Sequence, residues 1–135
     1  MIYYIYIEMS NLTPEQIFNA FKKKELDMNL AITYLRTFIE NSNKEELRIE
    51  SLELLSAIGV HSKEIFKILE HLFMSDASDL IRVKAANKII TEYLEEGEKS
   101  LRWIFEHESS ANYLMEIIKV LDCLLYTSPS PRDRS

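Results

Sequence analysis

Residues 47–55 read LRIESLELL, and residues 81–89 read IRVKAANKI, 34 positions further along the chain. In both stretches an aliphatic–arginine–aliphatic triplet opens a run of apolar residues spaced three or four positions apart, as in an amphipathic helix. Repetition at this period is typical of α-solenoids, in which each helix pair buries its apolar face only against its neighbours. The two stretches therefore predict an all-α fold of antiparallel helix pairs.

Capping residues and apolar spacing divide the chain into seven predicted helices. Thr13-Pro14-Glu15-Gln16 has the pattern of a capping box with proline at the first helical position, so helix 1 is expected over residues 14–24. Gly59 and Gly97 stand where the apolar patterns of helices 3 and 5 stop, and we expect them to cap those helices. The remaining expected starts are Asp27, a capping box of Asn43 with Glu46, Ser62, Ser78 and Ser109-Ser110.

Composition and charge exclude several classes of protein. The 135 residues are 47% hydrophobic and 28% charged, which fits one globular domain with a sizeable core. The net charge of −6 argues against nucleic-acid binding, since that requires clustered lysine and arginine. No apolar run approaches the roughly 20 residues needed to cross a bilayer, and the N-terminus lacks the pattern of a secretory signal. A cytoplasmic protein without membrane contact is expected.

Both ends of the chain stand apart from the repeat region. Residues 1–12 are expected to be a leader or extended segment, in which residues 1–8 are either a short apolar strand or translated sequence upstream of a start at Met9. Residues 123–133, CLLYTSPSPRD, resemble residue for residue one reading frame of the transposase mosaic-end adapter of sequencing libraries. A natural Ser/Pro linker is the alternative for residues 123–135. We expect the natural chain to continue past Asp122, and we assign residues 13–122 to a truncated repeat domain.

Residues 69–90 combine an apolar first helix, an Asp-bearing turn at Asp76, the Ile81-Arg82 pair and the small residues Ala85 and Ala86. This pattern resembles the HEAT-repeat family over about residues 28–122, and the other two copies are more degenerate. The resemblance implies a right-handed α-solenoid of about seven helices. It also implies that Arg82 bridges to an acidic turn residue, Asp76 or Asp79, in a structural ladder.

The exposed positions of the second helices are the candidate partner-binding surface, because solenoids commonly present such a face to their partners. A plain solvated face is the alternative. Trp103 lies opposite the apolar stripe expected for Leu101, Ile104 and Phe105, so it either packs on a following repeat or anchors a partner. The candidate residues for binding another protein or an adjacent domain are Arg48, Glu50, Arg82, Lys84, Asn87, Lys88, Trp103, Glu116 and Lys119.

No catalytic constellation, metal site or cofactor site stands out in the sequence. The three histidines include only one His-Glu pair, His107-Glu108, whereas HEAT-like di-iron hydroxylases use repeated His-Glu pairs as ligands. The sequence therefore favours a non-enzymatic interaction or scaffold module. The alternative is a HEAT-like enzyme or accessory domain, similar to a hydroxylase or a bilin lyase, with its active residues outside this chain.

Overall fold

The computed structural model describes residues 12–59 and 61–127, with side chains up to residue 124. Helices make up 82% of these residues, and no strand occurs among them. Residues 1–11 of the expected leader and residues 128–135 of the tail lie outside the described residues. The seven helices are α1 (Pro14–Lys22), α2 (Met28–Asn41), α3 (Glu45–Ile58), α4 (Lys63–Ser75), α5 (Asp79–Glu92), α6 (Leu94–His107) and α7 (Ala111–Thr127).

Most helix starts follow the predicted caps. Thr13 and Gln16 form the predicted capping box, with a Thr13 Oγ1 to Gln16 N distance of 3.1 Å. The side chains of Asp27 and Ser78 accept from the third backbone N–H that follows them, as predicted. The predicted capping box of Asn43 with Glu46 is wrong, because α3 has Lys44 at its N-cap and no side-chain cap.

The chain divides between Ile65 and Phe66 into two compact units. In the first unit, α1 packs against both α2 and α3, and these two pack against each other. In the second unit, α5 packs against α6 and α7. Fully buried side chains of the first unit include Ile17, Ala31, Ile32, Leu35, Ile39, Leu52 and Leu55, and those of the second include Leu69, Phe73, Ile81, Ala85, Ala86, Ile89, Ile104 and Ile117.

The predicted role of Gly97 as a helix stop is wrong. Helix α5 ends at Glu92, α6 begins at Leu94, and Gly97 lies buried inside α6. A Cβ atom on Gly97 would overlap Cγ2 of Ile89, so this glycine permits close approach of α6 to α5. Gly59 does follow α3, but with φ −135° and ψ 145°, which is extended rather than left-handed backbone.

Four residues at apolar positions of the predicted helices are exposed, and these include Leu80 at 46% and Leu94 at 44%. Phe105 on α6 is 41% exposed and Ile118 on α7 is 39% exposed, although their spacing matches the buried stripes of these helices. Among the described residues, no helix combines the length and the apolar character that crossing a membrane requires.

Candidate functional site

Three turns of equal length join the helices of the three pairs, α2–α3, α4–α5 and α6–α7. They span residues 42–44, 76–78 and 108–110, at spacings of 34 and 32 residues. In each turn the first side chain accepts a hydrogen bond from the backbone N–H two residues later. The distances are 3.1 Å from Ser42 to Lys44, 2.9 Å from Asp76 to Ser78 and 3.1 Å from Glu108 to Ser110. The repeat seen in the sequence is thus also a repeat of local geometry.

The two arginines of the repeated triplets make the same bond. Arg48 Nε donates to the backbone oxygen of Ile39 at 2.5 Å, and Arg82 Nε donates to that of Phe73 at 3.2 Å, each nine residues earlier. The last carbonyls of a helix have no partner within it, so each arginine satisfies one carbonyl at the end of the preceding helix. Arginine at this position therefore ties the two helices of a pair together.

Arg82 makes further contacts with the third pair. Its Nη2 donates to Oε1 of Glu108 at 2.6 Å, and its guanidinium carbon lies 3.8 Å from the ring centroid of Tyr113. The Tyr113 hydroxyl donates to the same Phe73 oxygen at 2.9 Å. Asp79, one of the two expected partners, lies 3.5 Å from Nη1. The Arg82 side chain is 12% exposed and that of Glu108 is 14% exposed, so this cluster is largely shielded from water.

Electrostatics keep the cluster in one protonation state. The hydrogen bond from Arg82 lowers the pKa of Glu108 and outweighs the opposing effect of burial. Burial raises the pKa of Tyr113, so its hydroxyl stays protonated and remains a donor. Sequence reasoning did not identify Glu108 as a partner. The signal was present, because Glu108 and Asp76 both stand two residues before a capping serine, at a spacing of 32.

A shallow groove of about 270 Å³ runs between α5 and α7. It brings together three of the predicted partner-binding residues, Asn87, Glu116 and Lys119. The Glu116 and Lys119 side chains form an ion pair at 3.2 Å. The other lining residues are Thr91, Val120, Cys123 and Leu124. Because α7 continues past Asp122 to Thr127, the start of the adapter-like segment contributes to this groove.

The other predicted residues lie elsewhere. Lys84 and Lys88 are half-buried on α5, and Arg48 and Glu50 are half-buried on α3 in the first unit. Trp103 is 48% exposed on α6, and its ring stacks on His107 with centroids 4.3 Å apart. A separate hollow of about 320 Å³ beside Trp103 is lined by Glu98, Lys99, Arg102 and Glu106.

Over residues 12–59 and 61–127, no three His, Cys, Asp or Glu side chains lie together in a way that could hold a metal ion. Comparison of the chain with family models, curated proteins and solved structures gave no match.

Proposed function

We propose that this chain is a protein-interaction or scaffold module built as a HEAT-like right-handed α-solenoid. The observation that supports this proposal is the recurrence of the turn bond at spacings of 34 and 32 residues, together with the recurrence of the arginine bond at a spacing of 34. A chain that repeats one helix pair in this way buries each pair against the next, and the second helices then form a shared surface. The partner is another protein or an adjacent domain of the same chain.

We place the binding surface of the second unit in the groove between α5 and α7. Its lining combines an amide at Asn87, a hydroxyl at Thr91, the Glu116–Lys119 ion pair and the aliphatic side chain of Val120. Mixed polar and apolar lining suits a peptide segment, which presents backbone groups and side chains together. Arg82 contributes through the shape of the surface, because its guanidinium group is engaged by Glu108, Tyr113 and the Phe73 carbonyl.

Site-specific photo-crosslinking tests this surface. A photoreactive amino acid replaces Thr91, which is exposed in the groove, and a matched variant carries it at Lys99, which is exposed on α6. Both positions are on helix surfaces, so both variants should keep the circular dichroism spectrum of the parent chain. In cell extract, the Thr91 variant should give discrete adducts with another protein, and the Lys99 variant should not.

A second pair of variants tests whether the adducts depend on the charges of the groove. Lys119→Glu should reduce the Thr91 adducts, since it breaks the ion pair with Glu116 and reverses one charge of the groove. Lys99→Glu makes the same charge change outside the groove and should leave the adducts intact. Equal adducts from Thr91 and Lys99, or adducts that Lys119→Glu leaves unchanged, would contradict the proposal.

A further inference from the structure

One face of α7 is open where the same face of the two earlier second helices is closed. Ile118, Leu121 and Asp122 are spaced i, i+3 and i+4, so their side chains share one face of α7, which we call the outer face. Ile118 is 39% exposed, Leu121 is half-buried and Asp122 is exposed. The outer face is therefore accessible to an incoming element.

The equivalent positions of the two earlier pairs are buried. Three positions of α5 correspond to the outer face at the 32-residue spacing of the turns, and three of α3 correspond at the further spacing of 34. These six residues are Ala86, Ile89 and Ile90 of α5 and Leu52, Leu55 and Ser56 of α3. None of the six is more than 7% exposed. Of the three described helix pairs, only the third leaves this face open.

The third helix pair is what covers this face of α5. Ile89 lies so close to α6 that a Cβ atom on Gly97 would overlap its Cγ2 atom. Helix α5 also packs against α7. Both helices of the following pair thus contact α5, and continuation of the same contact places a further helix pair on the outer face of α7.

Asp122 determines the chemistry of that further pair. Its counterparts in the two earlier pairs are uncharged and buried, so a helix pair that packs on α7 in the same way encloses a carboxylate. Shielding a carboxylate from water is costly unless a cation or hydrogen-bond donors pair with it. The chain already has such a pairing between its second and third pairs, where Arg82 contacts Glu108 at 2.6 Å. The covering element is thus expected to carry Lys or Arg opposite Asp122 and apolar residues opposite the rest of the outer face.

We propose that the outer face of α7 binds a following helix pair of the same repeat, which places Lys or Arg against Asp122. This inference rests on the repeat architecture proposed above and names the element that contacts the third pair. The groove between α5 and α7 is lined by other side chains of α7, among them Glu116, Lys119 and Val120, so the two surfaces are distinct.

An internal duplication tests whether a helix pair docks on the outer face. A second copy of residues 91–122, inserted after Asp122, keeps the 32-residue spacing and supplies a pair whose original already covers α5. The probe is Ile118→Cys in the original α7, in chains where Cys123→Ser removes the exposed native thiol. The thiol at position 118 should react with a maleimide at least about tenfold more slowly in the extended chain than in the 135-residue chain, because docked helices exclude the reagent.

The matched control position is Lys119, which is exposed, as are its counterparts Asn87 and Glu53 in the earlier pairs. The thiol introduced by Lys119→Cys should therefore react at the same rate in both chains. Unchanged reactivity at position 118, including that of a chain whose added copy stays unfolded, would overturn the proposal. Crosslinking from Thr91 tests the groove separately, so its adducts would show whether the proposed partner surface survives such a result.

A mutational scan of the inserted copy tests the cation. Protease resistance of the displayed variants is measured in two extended chains, one with Asp122 and one with Asp122→Ile, which matches Ile90 of α5. At one or more positions of the copy, Lys and Arg should be preferred over apolar residues when Asp122 is present, and Asp122→Ile should remove that preference. Identical preferences in the two chains would overturn the assignment of a cation to this contact.

Discussion

Helices α5 and α7 begin alike and end up in different surroundings. Each follows a three-residue turn, and Ser78 and Ser110 cap them by accepting from the N–H three residues later. Arg82 of α5 has Leu114 as its counterpart in α7, and the buried Ala86 has the exposed Ile118. The three-residue turn and the serine cap are thus repeated in the third pair, whereas Arg82 and Ala86 have different residues at the equivalent positions.

This difference has a simple physical origin. Caps and turns act within a few residues, and a turn of the same length precedes α3, α5 and α7, although α3 has no side-chain cap. Arg82 and Ala86 act on another helix pair, since Arg82 bridges to Glu108 and Ala86 lies on a helix packed against α7. Such residues are useful only where a neighbour is present. The comparison of α5 with α7 therefore separates residues that act within one helix start from residues that contact another helix pair.

Replacing Arg82 should have the largest effect on the free energy of unfolding. Arg82→Gln removes the ion pair with Glu108 and the bond from Nε to the Phe73 carbonyl, and it leaves a largely buried carboxylate without its charge partner. Loss of one partner of such a pair should lower the free energy of unfolding by about 3 kcal/mol. Chemical denaturation followed by circular dichroism measures this change.

The control for this variant is Arg102→Gln. Arg102 pairs with Glu98 at 2.6 Å, the same distance as the Arg82–Glu108 pair, but its side chain is 68% exposed. Its loss should cost about 0.5 kcal/mol or less, because exposed pairs gain little over solvation by water. If both variants cost the same, burial of the Arg82 cluster would not be what makes it stabilising.

The pH dependence gives the Arg82 prediction a second readout. The pKa of Glu108 is lowered in the folded chain, so its stabilising effect is complete above its ordinary pKa of 4.5 and is lost as the pH falls through the lowered value. The difference in stability between the parent and Arg82→Gln should therefore narrow in acid. A difference that stays constant from pH 7 to pH 3 would contradict the ion pair as its source.

The helix starts were largely predictable from the sequence, whereas many of the contacts between helix pairs were not. The capping box at Thr13 and the cap at Ser78 each act within the first turn of one helix, and both are confirmed. Arg82 with Asp79 was expected, but the shorter contact with Glu108 joins residues 26 positions apart. Exposure of Phe105 was missed for the same reason, since its spacing describes the helix and not what lies outside it.

The second prediction concerns the contact between α5 and α6. Gly97→Ala places a methyl group against Cγ2 of Ile89, and a β-branched side chain close to its own backbone cannot move away easily. The energetic cost of overpacking should exceed the roughly 1 kcal/mol that alanine gains over glycine in helix propensity. The expected net change is a loss of about 1.5 kcal/mol in the free energy of unfolding. Thermal denaturation of the variant checks this value.

Gly59→Ala is the matched substitution at the other glycine. Its backbone is extended, and a Cβ atom there would lie 3.5 Å from Cδ1 of Ile65, which is ordinary contact. Stability should stay unchanged or rise by about 0.5 kcal/mol, because alanine restricts the unfolded chain. Equal losses at Gly59 and Gly97 would show that Gly97 is not required by the approach of the two helices.

The last prediction extends the comparison to α3, where Ser51 stands 34 residues before Ala85. Ser51 is completely buried, and its hydroxyl has no hydrogen-bond partner among the described residues. A buried hydroxyl without a partner costs free energy, and alanine is also the better helix former, so Ser51→Ala should stabilise the chain by about 1 kcal/mol. The reciprocal Ala85→Ser should destabilise it by a similar amount. If Ser51→Ala instead lowered the denaturation midpoint, the Ser51 hydroxyl would itself stabilise a contact with another helix. Helix α3 would then differ from α5 in the role of this position and not only in its packing.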